Sequence, residues 1–172
     1  LEYGYSTMGY EIAGGLGIKM VDPSREVYVM VGDGSYLMMA QEIVTSIAEG
    51  YKLTIVVLDN HGFSSIGGLS RACGLSGLGT EYSVKVDFVA NAASLGAHAV
   101  RAHTRQQLEE ALALAVEQER TSVVVVETDI NQRVPGYESW WDVPIAEVSE
   151  MDSVRAARAA YEKAREKERH YL

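Results

Sequence analysis

The chain has 172 residues, of which 47% are hydrophobic and 23% charged, and its formal net charge is −9. That balance suits a soluble globular domain with a real core, and no apolar run approaches the roughly 18 residues of a membrane span. The acidity argues against a nucleic-acid partner, and the lone cysteine, Cys73, excludes an internal disulfide and favours a reducing, cytoplasmic location. No signal peptide is visible. The chain begins at Leu1 in a Tyr/Gly-rich segment and reads as an excised part of a longer protein.

In chain order, Met8 to Met20 reads as a helix ended by Asp22-Pro23. A strand over 26–31 runs into Gly32-Asp33-Gly34, and a helix over 35–49 closes at Gly50. Residues 53–58 are a continuous apolar, largely β-branched run, the pattern of a strand buried on both faces of a parallel sheet. Residues 60–83 hold six glycines and read as a long functional loop. Asp87 is placed to cap a short helix, and a strand over 98–101 follows. Thr104 and Gln107 have capping-box spacing for a helix over 105–118. Residues 122–127 repeat the buried-strand pattern.

An irregular aromatic segment over 129–149 carries Tyr137, Trp140 and Trp141, which are expected to cover a site or dock on another domain. A charged helix over about 152–170 ends the chain. Alternating strands and helices imply an α/β fold with a mostly parallel sheet and helices on both faces. Residues 1–150 are expected to form the main body, and 151–172 an appended helix. The body carries 9 basic and 20 acidic side chains, against 6 and 4 in the last 22 residues. An anion bound by so acidic a body must be held locally, by a metal and backbone N–H groups.

The chemistry gathers at two strand ends. Asp33 follows the first strand and Asn60 follows the second, within Asp59-Asn60-His61-Gly62. Magnesium takes oxygen ligands and is commonly held by one or two protein groups together with phosphate oxygens. Asp33 offers a carboxylate, Asn60 a side-chain carbonyl, and Gly62 a backbone carbonyl. Gly32 and Gly34 let a diphosphate approach, and the N–H groups of Gly34 and Ser35, with the Ser35 hydroxyl, are placed to bind it. Either motif alone reads as an ordinary turn. At the carboxyl ends of neighbouring strands, where α/β ligands sit, the two together point to a metal–diphosphate site.

This Gly-Asp-Gly, spacer, Asn pattern resembles the signature of thiamine diphosphate enzymes. The likeness implies Asp33, Asn60 and the Gly62 carbonyl as magnesium ligands, with Gly32, Gly34 and Ser35 at the diphosphate. Tyr5-Ser6-Thr7-Met8-Gly9 is similar to that family's aminopyrimidine-binding stretch. It implies that Ser6 presents its carbonyl, and that Met8 presents its N–H and a side chain that bends the cofactor. Ala13 departs from the family pattern, where many relatives have proline. The glutamate that activates the cofactor lies, in the family, in a separate N-terminal pyrimidine-binding domain, usually of a neighbouring subunit. Glu2 and Glu11 lie in the wrong motif for it. The resemblance thus implies a missing domain, a homodimer or tetramer, and weak cofactor binding by this chain alone.

The wording around residues 1–11, 59–70 and 140–144 is similar to a ring-opening branch of the family that acts in bacterial inositol breakdown. That likeness implies a polyhydroxylated cyclic 1,2-dione as substrate and hydrolysis of one C–C bond. His61 is then a candidate proton handler or hydroxyl donor to the polyol, or a plain surface residue. Phe63 is expected at the cofactor, and Phe63, Ser64 and Ser65 along the substrate pocket. An acetolactate-synthase-like carboligase, a 2-keto acid decarboxylase and a Rossmann-type nucleotide module are the alternatives. The last is disfavoured by Leu37, which stands where its third glycine belongs.

Overall fold

Four apolar segments assemble the sheet: β1 (Tyr28–Gly32), β2 (Thr54–Asp59), β3 (His98–Ala102) and β4 (Ser122–Glu127). They come from a computed structural model that describes residues 7–132 and 143–167. The described residues form two compact units, one within Leu1–Gly62 and Val84–Asp129, the other within Phe63–Ser83 and Ile130–Leu172.

The first unit holds the whole sheet. Its order is β1-β2-β4-β3 and every pairing is parallel. The register aligns Val29 with Ile55 and Ile55 with Val123, so these three share a face. Helix α1 (Glu11–Val21) covers that face, with Gly15 set against Val29. The opposite face, through Val124 and Ala102, packs on Ala111 together with Leu108 and Leu112 of α6 (Arg105–Glu117). Helices therefore lie on both faces, which is why β2 and β4 read as unbroken apolar runs. At the edge strand β1 the face turned away from α1 leaves Tyr28 and Met30 exposed.

Several boundaries differ from the sequence reading. The first helix starts at Glu11, three residues late, so Met8 and Gly9 precede it, and Gly9 has a positive φ of 92°. The helix expected over 35–49 is two helices, α2 (Asp33–Met39) and α3 (Glu42–Ala48). At their junction Ile43 and Val44 donate to the carbonyls three residues back, Ala40 and Gln41, and this tighter turn breaks the i→i+4 ladder. Gly50, at φ 71°, closes α3 as expected, its N–H on the Ile47 carbonyl. Asp87 caps α5 (Phe88–Ser94), accepting from the Ala90 N–H. Thr104 accepts from the Gln107 N–H, but the Gln107 side chain reaches back to the His103 N–H, one residue earlier than a strict capping box.

In the second unit the expected loop over 60–83 contains a helix, α4 (Ser64–Ala72). Its glycines were misleading. Gly67 is buried, and a Cβ there would lie 2.7 Å from Thr80 Oγ1, so this glycine serves close packing inside a helix. After Cys73 caps α4, Gly74 turns at φ 81° directly against the backbone of Ser153 in α7 (Asp152–Arg165). Arg158 of α7 donates to the Ile145 carbonyl at 2.8 Å and pairs with Glu162.

Candidate active site

Parallel pairing of β1 with β2 aligns Gly32 with Leu58, so the residues that follow, Asp33 and Asp59, leave the sheet side by side. Asp33 opens α2, with Gly32 in extended conformation before it. A carboxylate in the first turn is favoured by the helix dipole. Its side chain is fully buried. Oδ1 accepts the Gly34 N–H at 2.9 Å, and Oδ2 accepts the Gly62 N–H at 2.9 Å. The Asn60 N–H also points to this carboxylate.

The reach from β2 back to Asp33 depends on an unusual turn. His61 adopts φ 63°, the sole non-glycine residue with positive φ among those described, and Gly62 follows at φ 151°. Asp59 braces the turn from within. Its Oδ1 accepts the His61 N–H at 3.4 Å, and its carbonyl accepts the Thr128 N–H at 2.8 Å. Asn60 Oδ1 is closed to solvent.

The electrostatics of this corner are one-sided. Burial pushes the Asp33 carboxyl above the usual carboxylate range, and the N–H groups of Gly62 and Gly34 pull it back. The neighbouring Asp59 raises it further, and the Asn60 N–H lowers it. Asp59 is itself buried, and its ion-pair partner of fixed charge is Arg101, whose Nη1 lies 3.7 Å from Oδ2. Asp33 has no basic side chain within ion-pair range among the described residues. Of these two buried carboxylates Asp59 has a fixed counter-charge and Asp33 has none among the described residues, and a hard cation beside Asp33 would supply the missing charge. Among the described residues no group of three or more His, Cys, Asp or Glu is placed as a metal site. Any cation here must therefore take neutral oxygens, such as the Asn60 amide and the Gly62 carbonyl, and oxygens of a ligand.

The pattern of a buried strand, Gly-Asp-Gly and a strand-end Asn has a counterpart among known families. Residues 1–126 match the model described as thiamine pyrophosphate enzyme, C-terminal TPP binding domain. The chain belongs to this family. It is 43% identical over 170 residues to a Bacillus cereus protein named 3D-(3,5/4)-trihydroxycyclohexane-1,2-dione hydrolase 2, covering 91% of this chain. A Bacillus anthracis protein named 3D-(3,5/4)-trihydroxycyclohexane-1,2-dione hydrolase is 42% identical over the same share of this chain. The chain spans about a quarter of the length of these relatives, 26%. Among solved structures it is similar in fold to a Rhodococcus jostii RHA1 thiamine diphosphate-dependent 4-hydroxybenzoylformate decarboxylase. That likeness has a TM-score of 0.66 at 21% identity, covering 71% of this chain and 23% of the other.

Measured against the expectations for this thiamine pyrophosphate domain, the structure brings Asp33, Gly34, Asn60 and Gly62 together. Gly32 and Ser35 flank Asp33 in the chain, and Ser35 is buried. The Gly34 N–H lies 2.9 Å from Asp33 Oδ1, the acceptor nearest to it at the helix start. The His61 side chain is half exposed, with Nδ1 3.7 Å from Asp59 Oδ1. Met8 is exposed. Phe63 stands at the start of α4, its N–H on the Thr80 carbonyl and its ring edge-on to Tyr82 at 6.0 Å. Ser6, Tyr137, Trp140 and Trp141 lie outside the described residues.

Asp59 and Arg101 escaped the sequence reading. Their one signal was an arginine in the short strand His98–Ala102 and a glutamate ending the valine run of β4. With Lys85, Asp87, His103 and Glu127, Arg101 lines an open cleft of about 460 Å³.

Proposed function

We propose that this chain is the cofactor-binding part of a thiamine diphosphate- and magnesium-dependent hydrolase. The substrate is a trihydroxycyclohexane-1,2-dione, opened to 5-deoxy-glucuronate in inositol catabolism. The observation that carries the cofactor part is the buried Asp33 carboxylate, tied to Gly62 and placed beside Asn60 at two adjacent strand ends with no fixed positive charge of its own. The donor set fits magnesium: one carboxylate, one amide oxygen, one backbone carbonyl, and room in the chemistry for diphosphate oxygens. Support for the substrate is the identity to proteins named as hydrolases of that dione.

In this reading Asp33, Asn60 and the Gly62 carbonyl hold the cation, and Gly32, Gly34 and Ser35 lie at the diphosphate. Ser6 and Met8 belong to the aminopyrimidine. When bound, thiamine diphosphate supplies the electron sink for C–C cleavage. The ring bond between the two carbonyl carbons breaks, and one water is consumed, leaving a carboxylate at one end and an aldehyde at the other. His61 serves proton transfer, and Phe63, Ser64 and Ser65 line the polyol. A pyrimidine-binding domain supplies the activating glutamate, and the enzyme works in the cytoplasm as a homodimer or tetramer.

The test is Asp33→Ala in the full-length enzyme, assayed for consumption of the dione with magnesium and cofactor. Turnover should fall by more than about a hundredfold, beyond the loss usual for residues that only orient ligands. Retained turnover would remove the metal assignment. Failure of the wild-type enzyme to open the dione would remove the substrate.

A further inference from the structure

The sheet register places a second set of charges behind the candidate cation site. Arg101 aligns with Val125, and Val125 with Val57, so all three side chains share one face. Two residues on, Asp59 and Glu127 align with each other on that face, at the carboxyl ends of β2 and β4. The long Arg101 side chain reaches both. Its Nη1 lies 3.0 Å from Glu127 Oε1 and 3.7 Å from Asp59 Oδ2, and its Nη2 lies 3.5 Å from Asp87 Oδ1. Lys85 lies 3.9 Å from Glu127 Oε1 and His103 Nδ1 3.3 Å from Oε2, so Glu127 is shared, whereas Arg101 is the one partner of fixed charge that Asp59 has among the described residues.

Asp59 holds the turn that carries Asn60, His61 and Gly62 through its bonds to the His61 N–H and from Thr128. Its Oδ2 is buried and receives no hydrogen bond, which leaves Arg101 as its compensation. We propose that Arg101 is a positioning residue for the Asp33–Asn60–Gly62 cation site, acting through Asp59. Arg101 neutralises Asp59 and keeps that carboxylate directed toward β4. Asp59 can then brace the turn without competing with Asp33 for the cation. Without Arg101, the buried Asp59 carboxylate has no fixed counter-charge holding it toward β4, and the His61 N–H loses a fixed side-chain acceptor. This rests on the magnesium-site reading above.

The test uses the full-length enzyme and Mn²⁺ as the probe, titrated by electron paramagnetic resonance in the presence of thiamine diphosphate. Arg101→Met keeps the apolar stem and removes the charge. It should weaken Mn²⁺ binding about tenfold to a hundredfold, at temperatures where the cation-free variant is still folded by circular dichroism. Arg101→Lys should recover part of the loss. Asp59→Asn with Arg101→Met removes both charges and should bind more tightly than Arg101→Met alone. If Arg101→Met does not fold, the comparison passes to Arg101→Lys, which should still bind more weakly than wild type. Wild-type affinity in Arg101→Met, or in Arg101→Lys if only that variant folds, overturns the proposal, as does a double variant no better than the single. Asp33→Ala is the control that separates the two readings. Loss of Mn²⁺ there with no loss at Arg101 defeats the positioning role alone, whereas no loss at Asp33 defeats the site.

Discussion

Asp33 concentrates the chemistry in one residue. Its carboxyl titrates above the ordinary 3.8 because burial disfavours the charge. If Asp33 holds the cation as proposed, binding needs the carboxylate, and protons compete over a window that opens above the usual carboxylate range. Magnesium affinity should fall roughly tenfold per pH unit once the pH drops below that raised pKa, as followed by titration between neutral and acidic pH. Affinity flat down to the ordinary carboxylate range would refute it. The stability sign runs the other way. A folded pKa raised above the unfolded one means that ionisation costs stability above it, and that this cost disappears as the pH falls toward 3.8. Tyr36 behaves differently. It is fully buried, its phenol pKa is pushed up to about 12 by burial, and its hydroxyl donates to Asn91 Oδ1 at 2.9 Å. Tyr36→Phe should cost about 1 kcal/mol in urea unfolding, because the hydrogen bond goes while the edge-on contact with Phe88 remains. The Asp33–Asn60 proximity was legible in the sequence because both follow buried strands. The Asp59–Arg101 pair was not, because β4 comes last in the chain yet inserts between β2 and β3, so Arg101 meets Asp59 only by reaching across an intervening strand.

At the scale of elements, the strands and caps were legible and the interior breaks of helices were not. Runs of valine and isoleucine have one stable home, a sheet covered on both faces. The break between α2 and α3 has no glycine or proline to announce it; it comes from two tightened turn bonds at Ala40 and Gln41. Helix α4 was hidden for the opposite reason, since Gly67 looks like a loop signal yet serves a close approach to Thr80. Two glycines of α1 make a paired test. A Cβ at Gly15 would lie 2.4 Å from Val29 Cγ2, whereas one at Gly17 meets nothing within 4 Å. Gly15→Ala should destabilise by about 1–3 kcal/mol through overpacking. Gly17→Ala should stabilise by about 0.5–1 kcal/mol by limiting the unfolded chain. Equal effects on thermal unfolding would show that α1 does not sit on β1 as described.

At the scale of the whole molecule, the chain spans 26% of the length of the relatives it matches. No helix among the described residues is long and apolar enough to cross a membrane. If half of the cofactor pocket comes from a pyrimidine-binding domain, this chain alone should bind thiamine diphosphate with magnesium far more weakly than the full-length enzyme. Calorimetry on both would show it, and equal affinity would mean that the pocket is complete within these residues. The central claim concerns where the cation sits. The most direct measurement is anomalous diffraction from crystals of the full-length enzyme grown with Mn²⁺ and thiamine diphosphate. The account predicts a peak bonded to the Asp33 carboxylate and Asn60 Oδ1, with the Gly62 carbonyl at coordination distance. A peak in the cleft of Asp87 and Glu127, or one that makes no bond to Asp33, would contradict it.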